Sequence, residues 1–267
     1  MIKAVAVDID GTFLDDNYHY DKELFQRIFA KMQSVGAHFT FASGDQYAFL
    51  QSLAPQSAEA ISYVSDNGAM VVDEGGKMVS CGQFDPQLVP QVIDFLQSAG
   101  PNVDYAISGP QCLYVPDTMS DDVLKMMIAP YPKRQVFHDL SDIKGPTFKI
   151  VTHVPEKIKH DFYHRLVDHF GDNFHVTISG FGWVDLIIPG CDKGSGLQKL
   201  LKRWHLSPDE LAVFGDGEND LTMFKLAGHA YAMSNANDTV KAAATDIAPS
   251  NNEQGVLQVM SQIFGVK

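Results

Sequence analysis

Four short stretches of the chain carry residue types that could work on one anion. They are Asp8-Ile9-Asp10-Gly11-Thr12, Ser43-Gly44-Asp45, Lys193, and Gly215-Asp216-Gly217-Glu218-Asn219-Asp220. If Asp8, Asp10 and Asp216 converged, three carboxylates would repel one another and call for a cation. Hard oxygen ligands select Mg2+, which takes one or two carboxylates and keeps several waters. A lysine, a hydroxyl and the amides at a helix start would complete an anion cradle. An aspartate facing such a cradle can attack phosphorus and form an acyl phosphate. A second acid two residues on can protonate the leaving oxygen and then activate water. These are the parts that phosphoryl transfer requires.

The elements around these stretches must bring them together. Lys3 to Asp10 reads as a buried strand running into a loop, because it is short, apolar and β-branched. Asp21 precedes Leu24, Phe25, Ile28, Phe29, Met32 and Val35 at helical spacing, and Gly36 ends the run. His38 to Ala42 is a second strand, which completes a βαβ unit of parallel type. Ile61–Val64 and Met70–Val72 are further strands, with a hairpin turn at Asp73-Glu74-Gly75-Gly76 and Lys77–Ser80 returning. Prolines then become frequent from about Gln83 to Gly182. Helices are predicted there at Ser120–Ala129 and Pro155–Phe170, with strands at Val103–Ser108, Cys112–Val115, Phe148–His153 and Phe174–Ile178. Strand and helix alternate again through Val184–Ile188, Ser195–Trp204, Leu211–Phe214, Leu221–Leu226, Ala230–Met233, Val240–Ala244 and Val256–Phe264. The expected fold is α/β: a doubly wound, Rossmann-like parallel-sheet core from residues 1–82 and 183–267, with an inserted α+β domain over 83–182. Three of the four stretches directly follow a predicted core strand. Ligands of open α/β sheets bind at such carboxyl ends.

Composition narrows the classes of function. The 267 residues carry 33 acidic and 20 basic side chains, a net charge of −13. Such a chain repels nucleic acid and anionic membrane surfaces, so neither is an expected partner. There is no apolar run of about 18 residues to cross a bilayer. Asp8 and Asp10 arrive before any apolar leader core, so a cytoplasmic location is expected. Cys81, Cys112 and Cys191 are odd in number and far apart, which disfavours a disulfide framework or a structural zinc site.

Taken in order, the four stretches resemble the four motifs of the haloacid dehalogenase superfamily. The long insert resembles the cap of its Cof-type, or type IIB, phosphatases. Asn67-Gly68-Ala69, Asp246 to Gly255, Ala42-Ser43-Gly44-x-Gln46 and Ser179-Gly180-Phe181-Gly182 are worded like the bacterial sugar phosphatases of that group. The resemblance implies that Asp8 is the nucleophile and a Mg2+ ligand, and that Asp10 is the general acid and base and offers its carbonyl to the metal. It implies Asp216 as the third metal ligand. Ser43 with the Gly44 amide, Lys193 and Asn219 would hold phosphate. Asp220 would support Lys193 or the metal's waters from behind, and Thr12 would orient the loop and Asp10. It further implies a cap that closes and chooses among small phosphorylated metabolites, sugar phosphates foremost and flavin mononucleotide among the others, with no obligate protein partner. Many relatives read Ser-Gly-Arg where this chain reads Ser43-Gly44-Asp45.

Plainer readings stand beside these. Asp45 is expected to be a solvated turn or cap residue. His160, His164 and His169 read as a solvated helix face rather than a metal set. Tyr105, Phe181 and Trp183 are expected to pack, and Gly180 and Gly182 to form a hinge where the insert rejoins the core. Two other functions share the same residues: a phosphomutase, which returns the phosphoryl group to the sugar, and a non-catalytic phospho-accepting regulator.

Overall fold

In the computed structural model, the described residues are 1–100, 102–110, 112–126, 131, 133–178 and 182–267. Ser179, Gly180 and Phe181 therefore lie outside them, as does the end of the predicted 120–129 helix.

The chain forms β1 (Ala4–Val7), α1 (Lys22–Ser34), β2 (His38–Ala42), α2 (Tyr47–Leu53), β3 (Ser62–Ser65), β4 (Met70–Asp73) and β5 (Lys77–Cys81). It continues with α3 (Leu88–Ser98), β6 (Asp104–Ser108), β7 (Leu113–Pro116), α4 (Asp121–Met126), β8 (Arg134–Phe137), β9 (Lys149–His153), α5 (Lys159–Phe170), β10 (His175–Ile178) and β11 (Trp183–Ile187). It closes with α6 (Lys193–Trp204), β12 (Leu211–Gly215), α7 (Leu221–Leu226), β13 (His229–Met233), α8 (Asp238–Ala243), β14 (Asp246–Ala248) and α9 (Gly255–Phe264). Two compact units result. One contains residues 1–44, 54–80 and 192–267; the other contains 45–53 and 81–191.

The first unit holds a sheet ordered β14-β13-β12-β1-β2-β3-β4-β5. From β14 to β3 all pairs are parallel, and β4 joins β3 antiparallel. Both faces of β1 are buried, as the run Ala4-Val5-Ala6-Val7 requires. On one face Ala4 and Ala6 pack with Leu197, Leu200 and Leu201 of α6 and Met223 and Phe224 of α7. Phe13, Phe25, Phe29, Phe39 and Phe41 form a continuous set of edge-on and stacked rings beside α1. The Asp21 carboxylate caps α1 by accepting from the Leu24 amide at 2.9 Å. The chain runs from β1 out to β3 on one side and resumes at β12 on the other. The direction reverses between β1 and β12, which opens a crevice at their carboxyl ends.

The second unit is built on a sheet ordered β10-β11-β9-β6-β7-β8, antiparallel except between β7 and β8. Here the structure corrects several expectations. The strand at Trp183–Ile187 pairs with β9 and β10, so it belongs to the insert, and the boundary falls after Cys191 rather than before Trp183. An apolar strand looks alike in either sheet; only its partners distinguish them. Gly182 accordingly sits in the β10–β11 turn at φ +84°, inside the insert, and is not a hinge at its margin. Helix α3 is not predicted by the sequence analysis, and Pro90 falls within it. That proline lies in the helix's first turn, where a missing N–H costs nothing. Helix α2 and strands β8 and β14 also escaped notice; none exceeds seven residues. Tyr105 is buried and Trp183 packs on the Ala106–Val151 cluster, as expected of packing aromatics. His160, His164 and His169 are exposed on α5.

Candidate active site

The site is built where β1 and β12 end. Val7 pairs with Phe214, and the Asp8 amide donates to the Phe214 carbonyl at 3.0 Å. That register sets Asp8 beside Gly215, one residue before Asp216. After Asp8 the chain makes a tight turn over Ile9–Phe13, closed by the Leu14 amide donating to the Ile9 carbonyl at 3.0 Å. Gly11 occupies the left-handed region at φ +71°, and a Cβ there would collide with the Asp216 carboxylate. Glycine is thus required twice over, by conformation and by space. Thr12, 1% exposed, donates its hydroxyl to Asp216 Oδ1 at 2.7 Å. That bond ties the loop after β1 to Asp216. Asp10 itself is exposed.

Lys193 is the hub. Its ammonium lies 2.6 Å from Asp8 Oδ1 and 2.6 Å from Asp220 Oδ1, with no exposure of the lysine or Asp220 side chains. A cation in the first turn of a helix opposes the helix dipole, so the two carboxylates must outweigh that cost as well as burial. Burial alone would lower the lysine's pKa, but the charges of Asp220 and Asp8 raise it above its ordinary value, so it stays an ammonium. Asp192 caps α6 by accepting from the Ser195 amide. Gly68, at φ +86°, lets the Asp192 carbonyl approach so closely that any Cβ would clash. Lys193 is therefore seated by a helix start pressed against the β3–β4 turn, while the strand before it belongs to the sheet of the insert.

Asp220 is fully engaged. Its Oδ2 accepts from the amides of Asp216 and Gly217, both at 2.9 Å, while Oδ1 takes Lys193. It orders the loop that presents Asp216. Asn219 is exposed, and its amide approaches Asn67 Oδ1 at 3.5 Å. The Asn67 backbone N–H donates to the Ser43 carbonyl at 3.1 Å, and Ser43, 3% exposed, donates its own N–H to Val64 at 2.9 Å. Parallel pairing of β1 and β2 in register from Ala4 to Val7 sets Ser43 one residue beyond the level of Asp8. Contacts and register thus join all four stretches. Asn67 bridges the second and fourth, a contact that sequence spacing alone does not reveal. Asp45 is 9% exposed, not solvated as expected, because residues 45–53 pack with the insert.

Oxygen atoms of Asp8, Asp216 and Asp220 lie within 4.8 Å of one another. Burial first, then the charges of Asp220 and Asp216, push the Asp8 carboxyl well above its ordinary value despite Lys193. Burial likewise lifts Asp216 to about 6, with Asp220 and Asp10 adding to the shift. One ammonium among three carboxylates leaves two negative charges, and all the donors are hard oxygens. Such a set fits a small divalent cation.

Residues 5–260 match the model of the haloacid dehalogenase-like hydrolase family. The chain is 36% identical over 264 residues to a 5-amino-6-(5-phospho-D-ribitylamino)uracil phosphatase of Escherichia coli, covering 98% of this chain and 96% of that one. A crystal structure of a Streptococcus mutans protein superimposes with a TM-score of 0.91 at 34% identity, over 99% of this chain and 100% of the other. A subclass IIB sugar phosphatase of the same superfamily shares the fold, with a TM-score of 0.83 at 19% identity over 99% and 100% of the two chains. The chain belongs to the haloacid dehalogenase-like hydrolases, and it is a phosphatase.

Proposed function

We propose that this phosphatase hydrolyses small phosphomonoesters with Mg2+, through a phosphoryl group carried on Asp8. The observation that carries this reading is the buried Asp8–Lys193–Asp220 bridge at 2.6 Å on each side, next to Asp216. Asp8 and Asp216, with the carbonyl of Asp10, would hold the cation, which when bound supplies positive charge beside the transferring oxygens. Lys193 favours the carboxylate form of Asp8, aims it by its hydrogen bond, and opposes the charge of the incoming phosphate. Ser43, the Gly44 amide and Asn219 hold the phosphoryl oxygens. Asp8 attacks phosphorus; the P–O bond to the alcohol breaks as Asp10 protonates the departing oxygen. Asp10 then takes a proton from water, which attacks the phosphoryl group and releases inorganic phosphate, restoring Asp8.

The substrates proposed are small phosphorylated metabolites, sugar and sugar-alcohol phosphates first. The Escherichia coli relative's phosphoribityl substrate is a direct candidate. Selection among them is assigned to the insert, and the working location to the cytoplasm. Among the described residues no helix is long and apolar enough to cross a membrane. The test is phosphate release from a panel of sugar phosphates, nucleotides and the phosphoribityl compound. Release should need Mg2+, stop with a chelator, and vanish in Asp8→Asn. Full activity in Asp8→Asn would overturn the reading.

A further inference from the structure

Two asparagines far along the chain hold the turn after β1 from outside. Asn235, in the loop after β13, donates from Nδ2 to the Gly11 carbonyl at 2.8 Å. Asn251, 2% exposed, donates from Nδ2 to the Leu14 carbonyl and to Asp16 Oδ1, both at 3.0 Å. The two are joined, because the Asn251 backbone N–H donates to Asn235 Oδ1 at 3.2 Å. Asn252 completes the clasp. Its Nδ2 donates to Asp16 Oδ2 at 2.9 Å, and its Oδ1 accepts from the Asp16 N–H at 3.1 Å. All of these residues belong to the first unit.

The bonds from Asn251 and Asn252 fasten the segment after the turn, Leu14 to Asp16. The bond from Asn235 differs, because it reaches the turn itself at the carbonyl one residue past Asp10. The orientation of its amide is fixed, since a carbonyl only accepts and a backbone N–H only donates. Gly11 is what gives this bond weight. Its φ of +71° and the Asp216 carboxylate beside it demand glycine, and glycine has the freest backbone of any residue. Left free, Gly11 would let Asp10 swing relative to Asp8. The Gly11–Thr12 peptide is instead held on both sides, by Asn235 at its carbonyl and by the Thr12 hydroxyl on Asp216 at 2.7 Å.

We infer that Asn235, braced by Asn251, is a positioning residue for Asp10. It fixes the Gly11–Thr12 peptide and thereby the aim of the acid that protonates the departing oxygen. This rests on the phosphatase reading above and on the acid role of Asp10 within it. An acid out of line transfers its proton less well. The loss falls on an alkyl phosphate, whose oxygen needs the proton as it leaves. It falls little on p-nitrophenyl phosphate, whose leaving group departs as a stable anion. A brace with no bearing on Asp10 would slow both substrates alike.

The experiment measures kcat/KM on ribitol 5-phosphate and on p-nitrophenyl phosphate for the full-length parent, Asn235→Ala, Asp10→Asn and the double variant. In Asn235→Ala the ratio of the two constants, ribitol over nitrophenyl, should fall on the order of tenfold, with a melting temperature within about 4 °C of the parent's. With Asp10→Asn already in place, adding Asn235→Ala should leave the ratio where it stood, because the group it aims is gone. Should Asn235→Ala not fold, the same cycle is run on Asn235→Asp, which keeps the shape and the acceptor for Asn251 and loses the donor to Gly11. A ratio unmoved in the single variant, or a further fall of similar size in the double variant, would overturn the inference. Absence of phosphate release by the parent would instead overturn the phosphatase reading.

Discussion

Asp8 and Asp10 stand two residues apart but in opposite surroundings. Asp8 is buried against Lys193, and Asp10 is exposed at the turn. A fixed carboxylate suits attack, and an acid in contact with solvent suits proton exchange. Asp10→Asn should therefore slow turnover on the order of 10²- to 10⁴-fold and slow it most for poor leaving groups. Equal losses for p-nitrophenyl and alkyl phosphates in steady-state kinetics would contradict that role. The grouping of Asp8, Lys193, Asp216 and Asp220 was legible in the sequence, because Asp8 and Asp216 are chemically conspicuous just past strand ends and Lys193 at a helix start. Asn67 and the burial of Asp45 were not, since their positions follow from which turn packs on which loop. Thr12 was expected to orient the loop and Asp10, and its hydroxyl donates to Asp216 across that loop.

At the scale of elements, α6 acts as a rod with a function at its start and an anchor at its end. Its first residue is Lys193. Near its last turn Arg203 pairs with Asp73, and Trp204 donates to Asp73 Oδ1 at 3.1 Å while stacking on His38 at 4.1 Å. Burial would raise the Asp73 carboxyl, but hydrogen bonds from Arg203, Trp204 and Glu74 hold it below its ordinary value. The start of α6 presses on Gly68. Gly68→Ala adds both left-handed strain and a clash with the Asp192 carbonyl, an expected loss of about 2–4 kcal/mol. Chemical denaturation should show that loss, with kcat falling as Lys193 shifts. A variant with parental stability and kcat would contradict the proposed seat. Helical spacing revealed α6 itself from its apolar positions. The strand before it was misassigned because β11 and a core strand carry the same buried, β-branched signature.

For the whole molecule, the acid range reports how two central strands of the core sheet are tied at their amino-terminal ends. The Lys3 ammonium bonds Glu210 at 2.8 Å, joining the start of β1 to the turn before β12. Hydrogen bonds from Lys3 and the Ser207 amide lower the Glu210 carboxyl to about 2. A depressed carboxylate stabilises the fold above its unfolded pKa and loses that contribution as pH falls through the folded one. The melting temperatures of parent and Glu210→Gln should then differ most above about pH 5 and converge toward pH 2. A constant difference across that range would refute the linkage. The two-unit architecture was visible in the proline-rich middle of the chain. Its margins were not, because residues 45–53 pack with the insert although they lie far from it in sequence.

The central claim is that Asp8 carries the phosphoryl group. Acid quenching during turnover, followed by peptide mass spectrometry, tests it directly, with Asp10→Asn used to slow hydrolysis of the adduct. One phosphoryl group on the peptide containing Asp8, absent from Asp8→Asn, is the predicted result. Sustained phosphate release with no adduct at Asp8, or an adduct on another residue, would contradict the account.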